Sequence, residues 1–174
     1  MGITFDKHLT LATQVDNTVK KCNGLLGMLH RASPLLPKEL LKLSYTALIR
    51  SRLEYCSSLY TSTAKTHLNK LDVIQRKAAR IISHLPRDAH SEPLLKTLKL
   101  ESLDSRRDKH TLKIIKACVE GKCHPALKTM FTHNLHENQL TIPNANKSYG
   151  KRRFSIAGAK LYNKDLKNKE NNQH

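Results

Sequence analysis

The stretch LDVIQRKAARII, residues 71–82, combines a stripe of apolar residues with a strongly basic face. Apolar residues here and just beyond recur at intervals of three and four, which predicts an amphipathic helix with this buried face: Leu71, Ile74, Ala78, Ile81 and Leu85. The basic residues fall away from that stripe and are expected to face solvent: Lys70, Arg76, Lys77 and Arg80. Such a helix packs on one side and attracts polyanions on the other.

The sequence on either side predicts a mainly α-helical protein that forms a small helical bundle. An apolar spacing of the a/d type predicts a helix over residues 11–30. Pro37 suits the first turn of a second helix, which is expected to run toward residue 55. The basic helix should end before Pro86, and another long helix should cover residues 103–120, with Gly121 as its C-terminal stop.

The domain organisation predicted from composition has four parts. Residues 1–10 include the short β-branched segment 2–6, which predicts a strand without partner strands in this chain. Residues 11–124 are expected to form the bundle, and residues 125–163 a basic connecting segment. Residues 164–174 are rich in Asn, Lys and Glu, which predicts a disordered tail.

The charge balance is the strongest compositional signal. The chain has 31 Lys and Arg residues against 14 Asp and Glu residues, a net charge of +17. The excess grows along the chain, from 8 basic and 4 acidic residues in 1–62 to 10 basic and 3 acidic residues in 121–174. Nucleic acid is the usual partner of such a surface, since binding releases condensed counterions. This interpretation is favoured over an anionic membrane surface and over charge that serves solubility alone.

The predicted contacts with nucleic-acid phosphates lie on the basic helix, on the long helix that follows it and in a basic cluster near the C terminus. They are Arg76, Lys77, Arg80, Lys113, Lys151, Arg152 and Arg153. Arg76 and Arg80 rank first, because the guanidinium group can bind a phosphate through two parallel hydrogen bonds. Phe154 and Tyr149 stand beside the C-terminal cluster, and aromatic rings near cations suit stacking on bases.

The sequence predicts no catalytic residues, no cofactor and no metal. The carboxylates lack the spacing of a catalytic pair, and no Gly-rich phosphate loop occurs. Cys118 and Cys123-His124, followed by His133 and His136, supply ligand types that zinc accepts, but C-x4-C and H-x2-H fall outside the usual spacings. Cys118 also falls on an apolar helical stripe, so it is expected to be a core residue.

The predicted location is cytoplasmic or nuclear. The N terminus does not resemble a secretory signal, and no apolar run is long enough to cross a membrane. The four cysteines are therefore expected to be reduced, in a protein that is not secreted.

Four short motifs occur in a fixed order along the chain. They are GITFDKHLT at residues 2–10, LEYCS at 53–57, LDVIQRKAARII at 71–82, and GKRRFS at 150–155 running into GAKLYN at 158–163. In order and spacing they resemble the region downstream of the polymerase palm in non-LTR retrotransposon reverse transcriptases of the jockey-like type. The resemblance covers residues 2–163 and implies a helical thumb followed by a connection segment. The chain departs from the family at Tyr60 and Tyr162, where Trp is frequent, and at Asn163-Lys164-Asp165, which replaces Asn-Ser-Leu-Pro.

The resemblance implies a catalytically incomplete fragment of an RNA-directed DNA polymerase. The fingers and the palm, with its paired aspartates for two-metal phosphoryl transfer, are absent from this sequence. The implied partners are RNA, DNA or an RNA–DNA hybrid, gripped through the backbone of the template–primer duplex without sequence specificity. Residues 2–6 would be the last strand of the palm, and the surface that faced the palm would allow self-association.

Three alternatives remain open at this point. The helices could form a protein-interaction module that binds an acidic partner, which would tolerate salt because apolar contacts dominate. The chain could complement a separate palm, or it could be a retroelement remnant without function. For nucleic-acid binding, Arg76→Ala combined with Arg80→Ala is expected to flatten the salt dependence by about two units.

Overall fold

The computed structural model describes residues 2–7, 10–86, 88–132 and 139–171, and within these ranges the protein is mainly helical, as predicted. In chain order the α-helices are α1 (Ala12–Ala32), α2 (Lys38–Ser44), α3 (Ser51–Leu53), α4 (Lys65–Ile82), α5 (Ser91–Thr97), α6 (Leu103–Val119), α7 (Pro125–Lys128), α8 (Ser148–Lys151) and α9 (Phe154–Asn171). A π-helical segment, Tyr45–Arg50, joins α2 to α3, and a 3-10 helix spans Ser57–Ser62.

The chain divides into two compact units. The first comprises Met1–Cys56 and Thr63–Arg106, and the second comprises Ser57–Ser62 and Arg107–His174. The division lies inside α6, whereas composition alone placed the end of the bundle at residue 124.

Helices α1 and α4 form the centre of the first unit and run parallel. Near their N-terminal ends, Lys70 Nζ lies 2.6 Å from Asp16 Oδ1, and further along both helices Leu26 and Ile81 line one groove. Asp16 and Lys70 lie at similar distances from the first residues of their helices, and so do Leu26 and Ile81. The two helices are therefore parallel and in register. Parallel neighbours need a return connection, and residues 38–53 provide it. The buried apolar residues of this unit include Val15, Cys22, Leu41, Tyr45, Ile49, Leu53, Leu71, Ile74, Ala78 and Ile82.

The buried face of α4 is rotated from the predicted one. Its first three predicted residues are buried, but Ile81 is only half-buried, and Leu85 is 44% exposed because the helix ends at Ile82. Gln75, Ala79 and Ile82 are buried instead. The reason is that α4 packs against α5 as well as α1, so the covered face is wider than a single stripe.

An ion pair within the first unit links the end of α3 to the start of α6. Glu54 accepts from both Nε and Nη2 of Arg106, the latter at 2.9 Å. This hydrogen bonding raises the pKa of Arg106. Buried Gln75 adds a second link, because its side-chain amide donates to the carbonyl oxygen of Glu101 at 2.9 Å.

The core of the second unit brings together α6, α9 and the segment around residue 140. Ile115, Leu140 and Ala159 are buried together, and the rings of Phe131 and Phe154 meet edge to face at 5.8 Å. Gly158 allows the close approach at this crossing, since a Cβ atom there would lie 2.8 Å from Cδ1 of Ile115 and the buried isoleucine would have to shift.

Both chain ends differ from the expectations. Residues 2–6 are not assigned to a strand, and the backbone N–H of Thr4 instead donates to Oε1 of Gln14 at 3.0 Å. At the other end α9 continues to Asn171, so residues 164–171 are helical rather than disordered. The ion pair between Lys116 and Asp165, at 2.8 Å, ties this helix to α6. The last predicted tail residues, 172–174, lie outside the described ranges.

Candidate nucleic-acid interface

Three predicted contacts lie together on α4. Lys77 is exposed, and Arg76 and Arg80 are half-buried on the part of the helix that points away from the core. Residues three or four apart on a helix are neighbours, so these three cations form one continuous basic face on the C-terminal half of α4.

A groove of about 790 Å³ lies between the C-terminal halves of α1 and α4. Lys77 and Arg80 line it from α4, while His30 lines it from the end of α1 and His84 from the turn after α4. Apolar side chains, among them Leu26, complete its walls. The groove therefore combines two fixed positive charges and two imidazole rings with an apolar surface.

Arg80 is held in place by the backbone. Its Nε donates to the carbonyl oxygen of Ala89 at 2.7 Å. This bond uses one of the five N–H donors of the guanidinium group and restricts the group's rotation. Binding an anion through the remaining donors would therefore cost less side-chain conformational entropy than binding it through an arginine whose rotation is unrestricted.

His84 occupies an unusual backbone position for its type. It has a φ of 54° at the C-terminal end of α4, where its N–H donates to the carbonyl oxygen of Ile81 at 3.1 Å. Glycine is the usual residue in this left-handed position, and another residue there costs on the order of 1 kcal/mol. The imidazole of His84 therefore lines the groove from a backbone position that glycine usually occupies.

Lys113 lies in the second unit, on the exposed face of α6. It is exposed one turn from Lys109 and from Lys116, and the three line a shallow depression of about 380 Å³ with Leu112. Asp165 pairs with Lys116 and raises its pKa, so that charge is partly compensated within the protein.

The C-terminal basic cluster lies in the second unit, where Lys151 ends α8 and Arg152 and Arg153 lead directly into α9. Lys151 and Arg153 are exposed, Arg152 is half-buried, and the carbonyl oxygen of Arg153 accepts the first hydrogen bonds of the helix. The first turn of α9 has no acidic residue. Phe154 packs toward the core rather than standing free for stacking, and the side chain of Tyr149 lies outside what the structure describes.

The cysteine and histidine residues considered for zinc are only partly described. Cys118 is buried beside Ile115, as expected of a core residue, and burial together with a hydrogen bond that its thiol donates to Cys123 raises the pKa of Cys118 to about 11. Within the described ranges no three potential ligands cluster, and His133 and His136 lie outside those ranges. The absence of a metal stays a prediction.

Sequence reasoning missed the α1 side of the groove. His30, Gly27 and Leu26 were not considered as ligand contacts, because their proximity to Lys77 depends on the parallel register of α1 and α4. His84 carried a detectable signal, since it continues the helical spacing from Lys77.

No family model matches the chain, and no curated protein or solved structure is significantly similar to it. Among the described helices, none combines the length and the apolar character that a membrane crossing requires. The resemblance to retrotransposon reverse transcriptases stays a prediction.

Proposed function

We propose that this protein binds the backbone of nucleic acids without sequence specificity, as the thumb and connection part of a retrotransposon-type reverse transcriptase. It would act on RNA, DNA or an RNA–DNA hybrid, and it would not be an enzyme in its own right. The observation that carries the proposal is the basic face of α4, where Arg76, Lys77 and Arg80 adjoin one another and two of them line a groove.

The competing explanation for these cations is structural. Cations near the C-terminal end of a helix compensate the partial negative charge there, which is about half an elementary charge per helix. Two parallel helices, α1 and α4, end side by side and would present about one negative charge together. Lys77 and Arg80 already carry two full positive charges, with Arg76 a third, so this end keeps an excess that compensation does not explain.

The second unit supports the proposal in a different way. At the start of α9 the helix dipole is positive, so Arg153, directly before Phe154, is placed where it destabilises the helix. Cations with no structural advantage are typical of a surface that meets an anion, because an anion is favourable at a helix N-terminus.

The test is a fluorescence-anisotropy titration against an RNA–DNA hybrid, duplex DNA and single-stranded RNA, repeated at several salt concentrations. Each phosphate contact contributes about 0.9 to the slope of log K against log salt for a duplex. Arg76→Ala with Arg80→Ala should therefore flatten the slope by about two units. Lys77→Ala, which removes an exposed side chain without disturbing the bond to Ala89, should flatten it by about one.

A matched control is Lys38→Ala with Lys42→Ala on α2. It removes the same charge from the same unit but leaves the face on α4 intact, so its slope should stay close to that of the wild-type protein. Equal flattening in both double variants would mean that charge acts without a defined surface. An unchanged slope in the α4 variants would remove that helix from the interface.

A second candidate function rests on exposed leucines of the first unit. Leu40, Leu43 and Leu48 are 46%, 62% and 49% exposed on α2 and the π-helical segment that follows. Leucines on one helix face suit a protein-interaction module for an acidic helical partner. This function predicts binding that survives high salt and is lost in Leu43→Lys. Binding to the nucleic-acid backbone would instead weaken at high salt and be retained in Leu43→Lys.

A further inference from the structure

The groove between α1 and α4 has more than backbone contact requires. Phosphate contact alone needs cations on an open surface, yet here Lys77 and Arg80 stand beside apolar walls and the imidazoles of His30 and His84. A volume of about 790 Å³ falls within the range of small-molecule sites. Imidazole rings are among the side chains on which unpaired bases stack.

Gly27 keeps this groove open. It lies in the interior of α1, where glycine is a poor helix former compared with alanine. A Cβ atom at this position would meet its nearest side chain, Arg31, only at 3.7 Å, so packing within the helix pair does not demand glycine. What the missing side chain does provide is space, since Gly27 is part of the groove lining.

We propose that this groove binds one unpaired nucleotide of a nucleic-acid strand. The phosphate meets Lys77 and Arg80, and the base lies against the apolar wall and the imidazoles of His30 and His84. The inference rests on the proposed function and deepens it, because it predicts that a strand with an unpaired overhang is preferred over a fully paired duplex. Asn23 and Ser33 also line the groove, and the proposal assigns neither of them a contact with a base edge.

The test compares two probes of equal length in the same titration. One is a duplex with a single-stranded overhang, and the other is a fully paired, blunt-ended duplex with the same number of nucleotides. Stacking of one base on protein is expected to favour the overhang probe by roughly fivefold or more. The preference should persist at salt concentrations that weaken both probes, because stacking is not a phosphate contact.

Gly27→Leu is the decisive variant, and Gly24→Leu is its matched control. Both replace a glycine of the same helix with a better helix former and leave the net charge unchanged. A side chain at Gly24 would enter open space, whereas one at Gly27 would fill the groove. Gly27→Leu should remove the overhang preference, and Gly24→Leu should retain it.

His84→Gly gives an independent variant that is expected to fold well. It removes one imidazole while placing glycine in the left-handed position that favours it. Loss of the overhang preference in His84→Gly together with Gly27→Leu supports the groove. Retention of the preference in both variants, or its loss in Gly24→Leu as well, overturns it.

Two further results separate this inference from the proposed function. If the wild-type protein binds both probes equally, with a steep salt slope, the nucleotide site in the groove is overturned and the proposal of backbone binding still stands. A wild-type protein that binds neither probe overturns backbone binding, and adenosine monophosphate then serves as the probe of the groove. Nucleotide-induced NMR shifts at the Leu26 and Gly27 amides would support a nucleotide site, and their absence would overturn it.

Discussion

Asn163→Ala removes the side-chain amide that holds Leu140 in the core of the second unit. Oδ1 of Asn163 accepts from the N–H of Leu140, and Nδ2 donates to its carbonyl oxygen, each at 2.9 Å. Both residues are buried, so water does not readily replace the lost partner. The substitution leaves a buried donor and a buried acceptor unsatisfied at one position.

The expected loss follows from those two groups. A buried polar group without a partner costs about 1–2 kcal/mol here, within the usual range, so the two together cost about 2–4 kcal/mol. Alanine is a better helix former than asparagine and returns about 0.5 kcal/mol. Asn168→Ala is the matched control, because it makes the same exchange at an exposed position of the same helix.

The assay is amide hydrogen exchange by NMR, read at Leu140. The net loss is about 1.5–3.5 kcal/mol, and about 1.4 kcal/mol corresponds to a factor of ten, so the protection of this amide should fall by roughly 10- to 300-fold in Asn163→Ala. Asn168→Ala should not lower it, and should raise it by about twofold at most. Unaltered protection in Asn163→Ala would refute the reasoning, and a loosely folded C-terminal segment, as composition predicts, would become the better description.

Two further predictions concern charge in the second unit. Arg153→Asp places a good capping residue at the start of α9 and removes a charge that opposes the helix dipole. The free energy of unfolding, measured by thermal denaturation, should rise by about 1 kcal/mol, while nucleic-acid binding weakens. A lower free energy of unfolding would contradict this prediction. The hydrogen bond from Lys116 lowers the pKa of Asp165 below its usual 3.8. The stability that this ion pair contributes is therefore present above pH 3.8 and is lost as the pH falls through the lower pKa of the folded state. Melting temperatures of wild type and Asp165→Asn should therefore converge on acidification, and a gap that stays constant would exclude the linkage.

The long helices could be predicted because their signal is local. Apolar spacing and the stop at Gly121 set the ends of α6 within a residue or two, and Gly121 takes the expected left-handed conformation with a φ of 76°. The rotation of the buried face of α4 could not be predicted, because it depends on α5 packing on a second side. The helical residues 164–171 were missed because composition does not reveal that Asp165 meets Lys116, which is far away in sequence.

The candidate site was predictable in part for a similar reason. Arg76, Lys77 and Arg80 share a helix face, and helical spacing alone brings them together. The groove is a product of two helices in parallel register, and one sequence gives no measure of that register. His30 and Gly27 therefore acquire a role only when α1 is placed beside α4.

The two basic regions support the proposed function with unequal strength. The cations on α4 have a structural alternative, since they sit where two helices end and part of their charge compensates those ends. Arg153 differs, because it stands at the start of a long helix that would be more stable with an acidic residue. A residue that lowers stability at an exposed position is more informative about ligand binding than one that raises it. The placement of charge therefore supports anion binding more strongly at the start of α9. The concave shape of the surface supports it more strongly at the groove beside α4.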